Sequence, residues 1–339
     1  MTVKKILSAI FVLSGVIVGF VSCNGPKVYN SCEGSVWATS YHITYRSSRV
    51  LDDSIIEVMR RVEMSLSPFA DSSLVSRINR NETAVTDSLF RRIFIASQQV
   101  NRMSGGCYDP TVAPLVNLWG FGYKKAAVEP RQEQIDSALR LVGIGRCTLE
   151  GDRIKKLDPS TEFDFSSITK GYACDLIGEM LRRNGCSDYL VEIGGEVAVS
   201  GKNPQGEKWR IMIDAPVEND TAVVHKRLSV IAVTDCGVAT SGNYRNFKKT
   251  SAGKTWHTIS PSTGRPARST TLSATVIAPD AMMADALATA CMAMPLPDAM
   301  RMIESLPHTE ALLVTASSSG YEKHATGGFP ETEVGSARK

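Results

Sequence analysis

The stretch DFSSITKGYACDLIGEMLRRNGCSDYLVEIGGEVAVS, residues 164–200, contains a helix pattern followed directly by strand patterns. Apolar residues recur at helical spacing from about Thr169 to Asn184, and Gly185 supplies a helix stop. Residues 189–193 and 197–200 are short apolar runs, typical of strands separated by a turn. This part of the chain therefore predicts a helix that leads into a sheet.

The rest of the chain mixes helix and strand patterns without regular alternation. We therefore predict an α+β fold, with a mixed sheet body and flanking helices, rather than a doubly wound parallel sheet. Helices are predicted at 52–65, 87–103, 134–142, 281–294 and 298–305, a small hairpin around Gly151, and strands at 35–45, 162–165, 209–213, 228–234, 256–259, 272–277 and 311–315.

The N-terminus has the pattern of a secretory signal. Lys4 and Lys5 precede an apolar run, residues 6–21, which ends at Ser22–Cys23. A small residue followed by Cys resembles a lipoprotein processing site, so we expect residues 1–22 to be a signal peptide and Cys23 to carry lipid. The alternative is an uncleaved membrane helix, for which the run is near the lower length limit. Either interpretation places the rest of the chain outside the cytoplasm.

The domain limits, the net charge and the cysteines can be judged from the sequence. We expect a lipid-anchored tether at 23–33, one domain at 34–330 and a disordered tail at 331–339, in a membrane-anchored lipoprotein that faces the periplasm. The formal net charge is +3, and removal of the two N-terminal lysines leaves +1, which gives no electrostatic reason to bind nucleic acid. Eight cysteines lie far apart, and their spacing indicates neither a disulfide framework nor a zinc site.

Three constellations of residues could carry chemistry. In the first, residues 164–175, an acid is followed by a Ser-rich turn and by a helix that begins near Thr169. A helix start presents free backbone N–H groups that favour an anion, and Lys170 could add a full positive charge to a bound phosphate. Ser and Asp at a helix entrance are also ordinary caps, so the pattern alone leaves both interpretations open.

The second constellation pairs Asp285 with Thr289. They are four residues apart and so project from one face of a helix. A carboxylate and a hydroxyl are oxygen ligands for a hard cation such as Mg²⁺, which takes few protein ligands and completes its shell with phosphate and water. The alternative is that Asp285 caps or pairs locally while Thr289 packs.

The third constellation comprises residues 240–246 and 257–266. Gly242 and Gly264 mark tight turns within unusually dense polar sequence. His257 could serve there as a general acid or base. The alternative is a histidine whose hydrogen bonds are satisfied in the core.

Five motifs in order make the sequence recognisable. They are YDPTVAPLVNLWGFG at 108–122, DFSSITKGYA at 164–173, TSGNYR at 240–245, HTISPSTGRP at 257–266 and ADALATA at 284–290. Together they resemble the ApbE-like FAD:protein FMN transferases, and the likeness extends from Gly34 to about Pro330. The resemblance implies a two-lobed architecture related to the T-fold.

The resemblance also implies roles for individual residues. Metal would be held by Asp285, Thr289 and the backbone carbonyl of Ser167, and His257 would face the reacting region. Trp37 stands where a Met is usual, and Thr169 where Gly or Ala precedes the Lys. The residues that would contact FAD are Trp37, Tyr108, Asp109, Pro110, Asp164, Lys170 and Trp256.

The activity implied is Mg²⁺-dependent transfer of FMN from FAD to a Thr or Ser hydroxyl of an exported acceptor protein, with AMP leaving. Either Asp285 or His257 would remove the proton of the attacking hydroxyl. One alternative is a metal-dependent FAD pyrophosphatase, in which water replaces the protein hydroxyl. Another is a non-catalytic flavin-binding lipoprotein, which would not need Asp285 and Thr289 together.

Overall fold

The computed structural model of the protein describes residues 28–124, 129–216, 226–243, 247–250, 253–267, 269–318 and 320–332. Within these ranges the elements, in chain order, are β1 Tyr29–Val36, β2 Thr39–Arg46, α1 Asp52–Leu66, α2 Leu74–Asn79, α3 Ser88–Met103, α4 Ala113–Leu118, α5 Gln132–Leu139, β3 Cys147–Glu150, β4 Arg153–Lys156, α6 Thr169–Arg183, β5 Tyr189–Ile193, β6 Glu196–Ser200, β7 Trp209–Asp214, β8 Arg227–Val233, β9 Cys236–Gly242, β10 Phe247–Thr250, β11 Gly253–Trp256, β12 Thr271–Ala278, α7 Ala281–Ala293, α8 Leu296–Glu304, β13 Glu310–Ser317, β14 Gly320–Ala325 and β15 Glu331–Thr332.

The body of the molecule is an eight-stranded sheet in the order β1-β2-β5-β6-β9-β12-β13-β14. Every neighbouring pair in it is antiparallel. A second sheet has the order β15-β8-β7, and two hairpins, β3-β4 and β10-β11, stand apart. The predicted α+β class is confirmed.

The central sheet is covered on both faces, as its alternating side chains show. In β6, Ala198 points into the core beneath the helices, while Val197 and Val199 pack with residues of the second sheet such as Ile231. Since successive strand residues point to opposite faces, this alternation makes a three-layer arrangement. Helices α6 and α7 lie on one face and β7-β8 on the other.

Helix α7 is apolar on every side, which is typical of a helix buried all round. It packs against β9, β12 and α6. Asp285 is its only charged residue, and the side chain is almost completely buried. A buried carboxylate costs free energy unless it is paired or bound, so Asp285 requires a hydrogen-bond donor, a positive charge or a metal ion beside it.

Helices α6 and α7 approach unusually closely at Gly171. A Cβ at that position would lie 2.1 Å from the carbonyl oxygen of Ala281 and 2.9 Å from Cβ of Asp285. The absence of a side chain therefore lets the two backbones come together. This contact brings the N-terminus of α6 next to Asp285.

Most of the predicted elements are confirmed, with boundaries shifted by a few residues. The helices α1, α3, α6 and α7 and the hairpin at Gly151 lie where the periodicity places them. The predicted strand at 35–45 is wrong, because the chain reverses at Trp37 and Ala38, whose φ angles are 49° and 61°. Two consecutive left-handed residues make the tight turn of a hairpin, and alternation alone does not reveal a turn of this kind.

Residues 162–165 do not form the predicted strand. Phe163 and Phe165 are buried and stack on each other, with ring centroids 5.6 Å apart. Their alternation therefore reflects packing against the core, without a partner strand. The predicted strand at 256–259 is also misplaced, because β11 ends at Trp256.

The ends of the domain extend beyond the predicted limits. β1 begins at Tyr29, within the segment interpreted as a tether, and pairs with β2. β15 lies within the segment interpreted as a disordered tail and pairs with β8. The signal sequence and Cys23 lie outside the described residues. Across the described ranges no helix is both long and apolar enough to cross a membrane, and the seven cysteines there are unpaired.

Candidate functional site

A cavity of about 980 Å³ opens between the start of α6, helix α7 and the end of β9. Its walls include Tyr108, Asp164, the turn at Gly194–Gly195 and residues of β7. The volume is at the upper end of the roughly 300–1,000 Å³ typical of ligand pockets. The cavity is therefore large enough for an extended ligand.

The first turn of α6 offers fewer free amides than the sequence suggests. The N–H groups of Ile168 and Thr169 both donate to the carbonyl of Phe165, each at 3.0 Å. Thr169 Oγ1 also donates to that carbonyl at 2.7 Å, so the hydroxyl that replaces the usual small residue bonds to its own helix. In the part of the chain described, the amide of Lys170 has no protein acceptor.

Asp285 is held against the start of α6 by one hydrogen bond. Its Oδ2 accepts from the N–H of Gly171 at 3.0 Å. Its Oδ1 has no donor among the described residues. Thr289 lies one turn further along α7, and its Oγ1 is 3.2 Å from Oγ of Ser241. Asp285, Thr289 and Ser241 all border the cavity.

Lys170 and Glu196 form a buried ion pair beside Asp285. The Nζ of Lys170 lies 2.8 Å from Oε2 of Glu196. Burial alone would lower the pKa of Lys170, but the carboxylates of Glu196 and Asp285 more than offset this and raise it. Lys170 therefore stays protonated at neutral pH. Burial raises the pKa of Glu196.

The carboxylate of Asp109 is used mainly in hydrogen bonds that hold the local structure. Its carboxylate accepts hydrogen bonds from the N–H of Thr111 at 2.8 Å, from the Thr111 hydroxyl at 2.5 Å and from the N–H of Ile144 at 2.8 Å. Burial raises its pKa, and these bonds partly offset the effect. The carboxylate thus ties two loops together at the wall of the cavity.

Two other predicted residues position Asp164 and Ser167. The carbonyl of Pro110 accepts from the N–H of Asp164 at 2.7 Å, and Asp164 in turn accepts from the N–H of Ser166 at 2.9 Å. The hydroxyl of Ser167 donates to the hydroxyl of Tyr108 at 3.3 Å. Burial raises the pKa of both Asp164 and Tyr108.

Residues of the third constellation also border the cavity. His257 borders the cavity with its ring 6.5 Å from that of Phe121. Asn243 is buried and accepts from the hydroxyl of Thr258 at 3.0 Å, which ties the two polar segments together. Residues 244–246 lie outside the described residues.

The structure therefore brings together most, but not all, of the predicted site residues. Trp37 is half-buried in the β1-β2 turn, packs against the main core and does not border the cavity; its Nε1 has no hydrogen-bond partner among the described residues. Neither Pro110 nor Trp256 borders the cavity. The predicted residues that do are Tyr108, Asp109, Asp164, Ser167, Lys170, His257, Asp285 and Thr289.

Glu196 is the main residue that the sequence analysis missed. It begins β6, whose remaining residues are Val197, Ala198, Val199 and Ser200. A lone acid at the start of an otherwise apolar strand, just after two glycines, was an available signal. Its partner could not be foreseen, because Lys170 lies on a helix 26 residues earlier in the chain.

The cavity wall is rich in acid. Among the described residues it carries six carboxyl side chains but only one Lys and one Arg. A diphosphate would meet net negative charge at such a wall unless a cation came with it. The acids are Asp109, Asp164, Glu192, Glu196, Asp214 and Asp285.

The donors around Asp285 fit Mg²⁺. Oδ1 of Asp285, the hydroxyl of Thr289 and the carbonyl of Ser167 are all oxygen donors, as this cation prefers. In the described ranges no group of three or more His, Cys, Asp or Glu side chains is placed to hold a metal alone. A cation here would therefore complete its shell with oxygens of a ligand and of water, which is usual for Mg²⁺ at phosphate sites.

Comparisons with known proteins agree with one another. A sequence model of the ApbE family matches residues 37–313. The chain is 31% identical over 317 residues to an FAD:protein FMN transferase of Vibrio cholerae serotype O1, covering 91% of this chain and 93% of that protein. It is 31% identical over 343 residues to an FAD:protein FMN transferase of Haemophilus influenzae, covering 94% and 98%.

Solved structures give the same result. The flavin transferase ApbE from Vibrio cholerae matches with a TM-score of 0.79 at 30% identity, covering 89% of this chain and 98% of that chain. The apo form of the flavinyl transferase ApbE from Pseudomonas stutzeri matches with a TM-score of 0.78 at 30% identity, covering 89% and 95%.

Proposed function

The chain belongs to the ApbE family, and we propose that it splits FAD and transfers the FMN half to a Thr or Ser hydroxyl of an acceptor protein, with AMP as the leaving group. The observation that carries the proposal is the meeting of Lys170, Asp285 and Thr289 in one large cavity. These residues supply a positive charge and oxygen ligands at the start of a helix, which is the chemistry that a diphosphate requires.

The reaction exchanges one bond to phosphorus for another. The oxygen of the acceptor hydroxyl bonds to the FMN-side phosphorus of FAD, and the bond from that phosphorus to the bridging oxygen breaks, so that AMP leaves. Such transfers depend on positioning and on neutralising charge. Lys170, fixed by Glu196, provides a permanent positive charge at the phosphates.

Mg²⁺ would be held by Asp285, Thr289 and the carbonyl of Ser167, and when bound it would neutralise charge on the diphosphate. The Gly171 amide keeps the Asp285 carboxylate oriented. Two residues of the wall can take the proton of the attacking hydroxyl. One is His257, since an imidazole is a general base near neutral pH, and the other is Asp285.

We further propose that the protein is exported and anchored through lipid on Cys23, facing the periplasm. The basis is the N-terminal sequence, in which an apolar run ends at Ser22–Cys23. Cells grown with a radiolabelled fatty acid should yield a labelled protein, and Cys23→Ser should abolish the label. A Cys23→Ser protein that still carries the label would contradict the proposed anchor.

The activity is tested by incubating the purified protein with FAD and Mg²⁺, with and without a candidate acceptor protein. AMP, free FMN and FMN-protein are separated by chromatography and gel fluorescence. We expect FMN-protein and AMP in equal amounts when the acceptor is present. Free FMN and AMP at the same rate in both reactions would indicate a pyrophosphatase, and bound, unbroken FAD would indicate a binding protein.

Asp285→Asn tests the assignment of Asp285 as a metal ligand. The amide oxygen can still accept from Gly171, so the contact between α6 and α7 is kept while the negative charge is removed. We expect a folded protein without transfer activity. Full activity in this variant would contradict the assignment of Asp285 as a metal ligand.

A further inference from the structure

β7 lies at one edge of the second sheet. In the order β15-β8-β7 it is the terminal strand, and among the described residues it pairs only with β8. Alternate residues of an antiparallel edge strand point their N–H and C=O groups away from the partner strand. β7 therefore has a row of backbone donors and acceptors on its outer side.

This outer edge faces the cavity. The cavity is bordered by four residues of β7, namely Arg210, Ile211, Met212 and Asp214. Because side chains alternate between the two faces of a strand, a cavity lying on one face would touch every second residue. Arg210, Met212 and Asp214 lie on one face of β7 and Ile211 lies on the other, so the cavity reaches both faces. Since β8 occupies one edge of β7, the cavity passes along the outer edge.

We propose that a segment of the acceptor protein binds here as an added strand, pairing with β7 and holding its Thr or Ser hydroxyl at the cavity. The inference rests on the proposed function, which requires a hydroxyl of a folded protein to reach a phosphorus enclosed by the walls described above. A short extended segment can enter where a whole domain cannot.

Strand addition also suits the chemistry of recognition. Backbone hydrogen bonds supply affinity whatever the side chains are, while alternate side chains supply selectivity. Met212 is large, apolar and 49% exposed beside the cavity, so it offers an apolar contact to one of those side chains. An exposed edge is otherwise a liability for a protein, which is consistent with its having a partner.

The experiment uses peptides as the probe. The protein, FAD and Mg²⁺ are incubated with a library of capped peptides of about nine residues, a typical strand length, with Thr at the centre. Peptides that acquire FMN are identified by mass spectrometry. The best is then resynthesised as a series in which one backbone nitrogen at a time is methylated, which removes one hydrogen-bond donor.

We expect the loss to alternate along the peptide. Methylation at every second residue should lower kcat/KM for the peptide about five- to tenfold or more, and methylation at the residues between should change it less than about twofold. The KM for FAD should be the same across the series, because the FAD site is untouched. Equal losses at neighbouring positions would overturn the proposal.

Hydrogen exchange provides a readout on the protein itself. The amides of residues 209–213 should exchange about tenfold more slowly when the unmethylated peptide is present. β14, the edge strand of the central sheet, does not border the cavity and serves as the control that should not change. Protection of β7 that depends on protein concentration, without peptide, would indicate pairing with a second copy and would overturn the proposal.

Failure of the proposed function is distinguishable from failure of this inference. If FMN is transferred neither to any peptide nor to the folded acceptor protein, the proposed activity itself is wrong. If the folded acceptor protein is labelled but no peptide is, the acceptor is not recognised as an extended segment and the inference is wrong. If peptides are labelled but β7 gains no protection, the segment binds elsewhere and the inference is wrong.

Discussion

Gly171→Ala should damage the site from a position that contributes no side chain to it. On an isolated helix the change would be favourable, because Ala has a higher helix propensity than Gly by about 1 kcal/mol. In this protein the new Cβ would lie 2.1 Å from the carbonyl oxygen of Ala281 and 2.6 Å from its carbonyl carbon. Both atoms belong to the backbone of α7, so neither can rotate away, and the helices must separate.

The expected cost follows from that separation. Overpacking a core contact costs about 1–3 kcal/mol, which would exceed the gain in helix propensity. At roughly 2–4 °C per kcal/mol, the melting temperature should fall by several degrees. Separation also weakens the 3.0 Å bond from Gly171 to Asp285, so Mg²⁺ affinity and FMN transfer should fall with stability.

Gly178→Ala is the matched control, since it lies in the same helix and is also buried. Its Cβ would meet the end of the Tyr189 side chain, at 2.8 Å from the hydroxyl, and a side chain gives way more easily than the backbone of a helix. We expect a smaller loss of stability and unchanged Mg²⁺ affinity. Thermal denaturation and calorimetric Mg²⁺ titration of both variants test this. A Gly171→Ala protein as stable and as active as the parent would refute the reasoning.

Four further changes test the site. Asp285→Asn should weaken Mg²⁺ binding, as measured by calorimetry, by more than the roughly 10–100-fold that is typical of losing a partner outside the direct ligands. An unchanged affinity would show that Asp285 is not a metal ligand. Lys170→Met should destabilise the fold by up to about 3–5 kcal/mol in urea, because Glu196 loses its charge partner and must take up a proton to stay buried, and adding Glu196→Gln should restore most stability but not transfer. His257→Ala should lower the transfer rate and flatten its pH dependence, and an unchanged profile would make His257 structural. Burial, and to a lesser extent the carboxylate of Asp280, raise the pKa of Asp175 from 3.8 to about 7. Because the folded state then binds the proton of Asp175 more tightly than the unfolded state does, the stability of the protein should decline as pH rises from about 4 through about 7. Thermal scans of Asp175→Asn should lack that decline.

Local geometry explains which features the sequence could predict. The helices α6 and α7 follow from periodicity, because residues within a few positions share a face whatever surrounds them. The placement of Asp285 and Thr289 on one side of α7 is predictable for the same reason. Other site residues, such as Tyr108, could be predicted only from the family resemblance, because their spacing in the sequence does not mark them.

The errors arise where a distant contact overrides the local pattern. The alternation at 162–165 comes from two phenylalanines buried in a core, and the reversal at Trp37 needs two left-handed residues that propensity does not favour. Pro110 has its effect through its carbonyl, which no side-chain pattern reveals. In each case the decisive partner lies elsewhere in the fold.

What the sequence by itself determined is the set of chemical groups and the local elements that carry them. Only the tertiary structure decided that Gly171 meets Asp285 across 114 residues of chain, that Glu196 pairs with Lys170, and that an edge strand borders the same cavity. The physical reason is that short-range spacing sets the face of a helix or strand, whereas the order of strands and the closeness of two helices depend on the packing of the whole core.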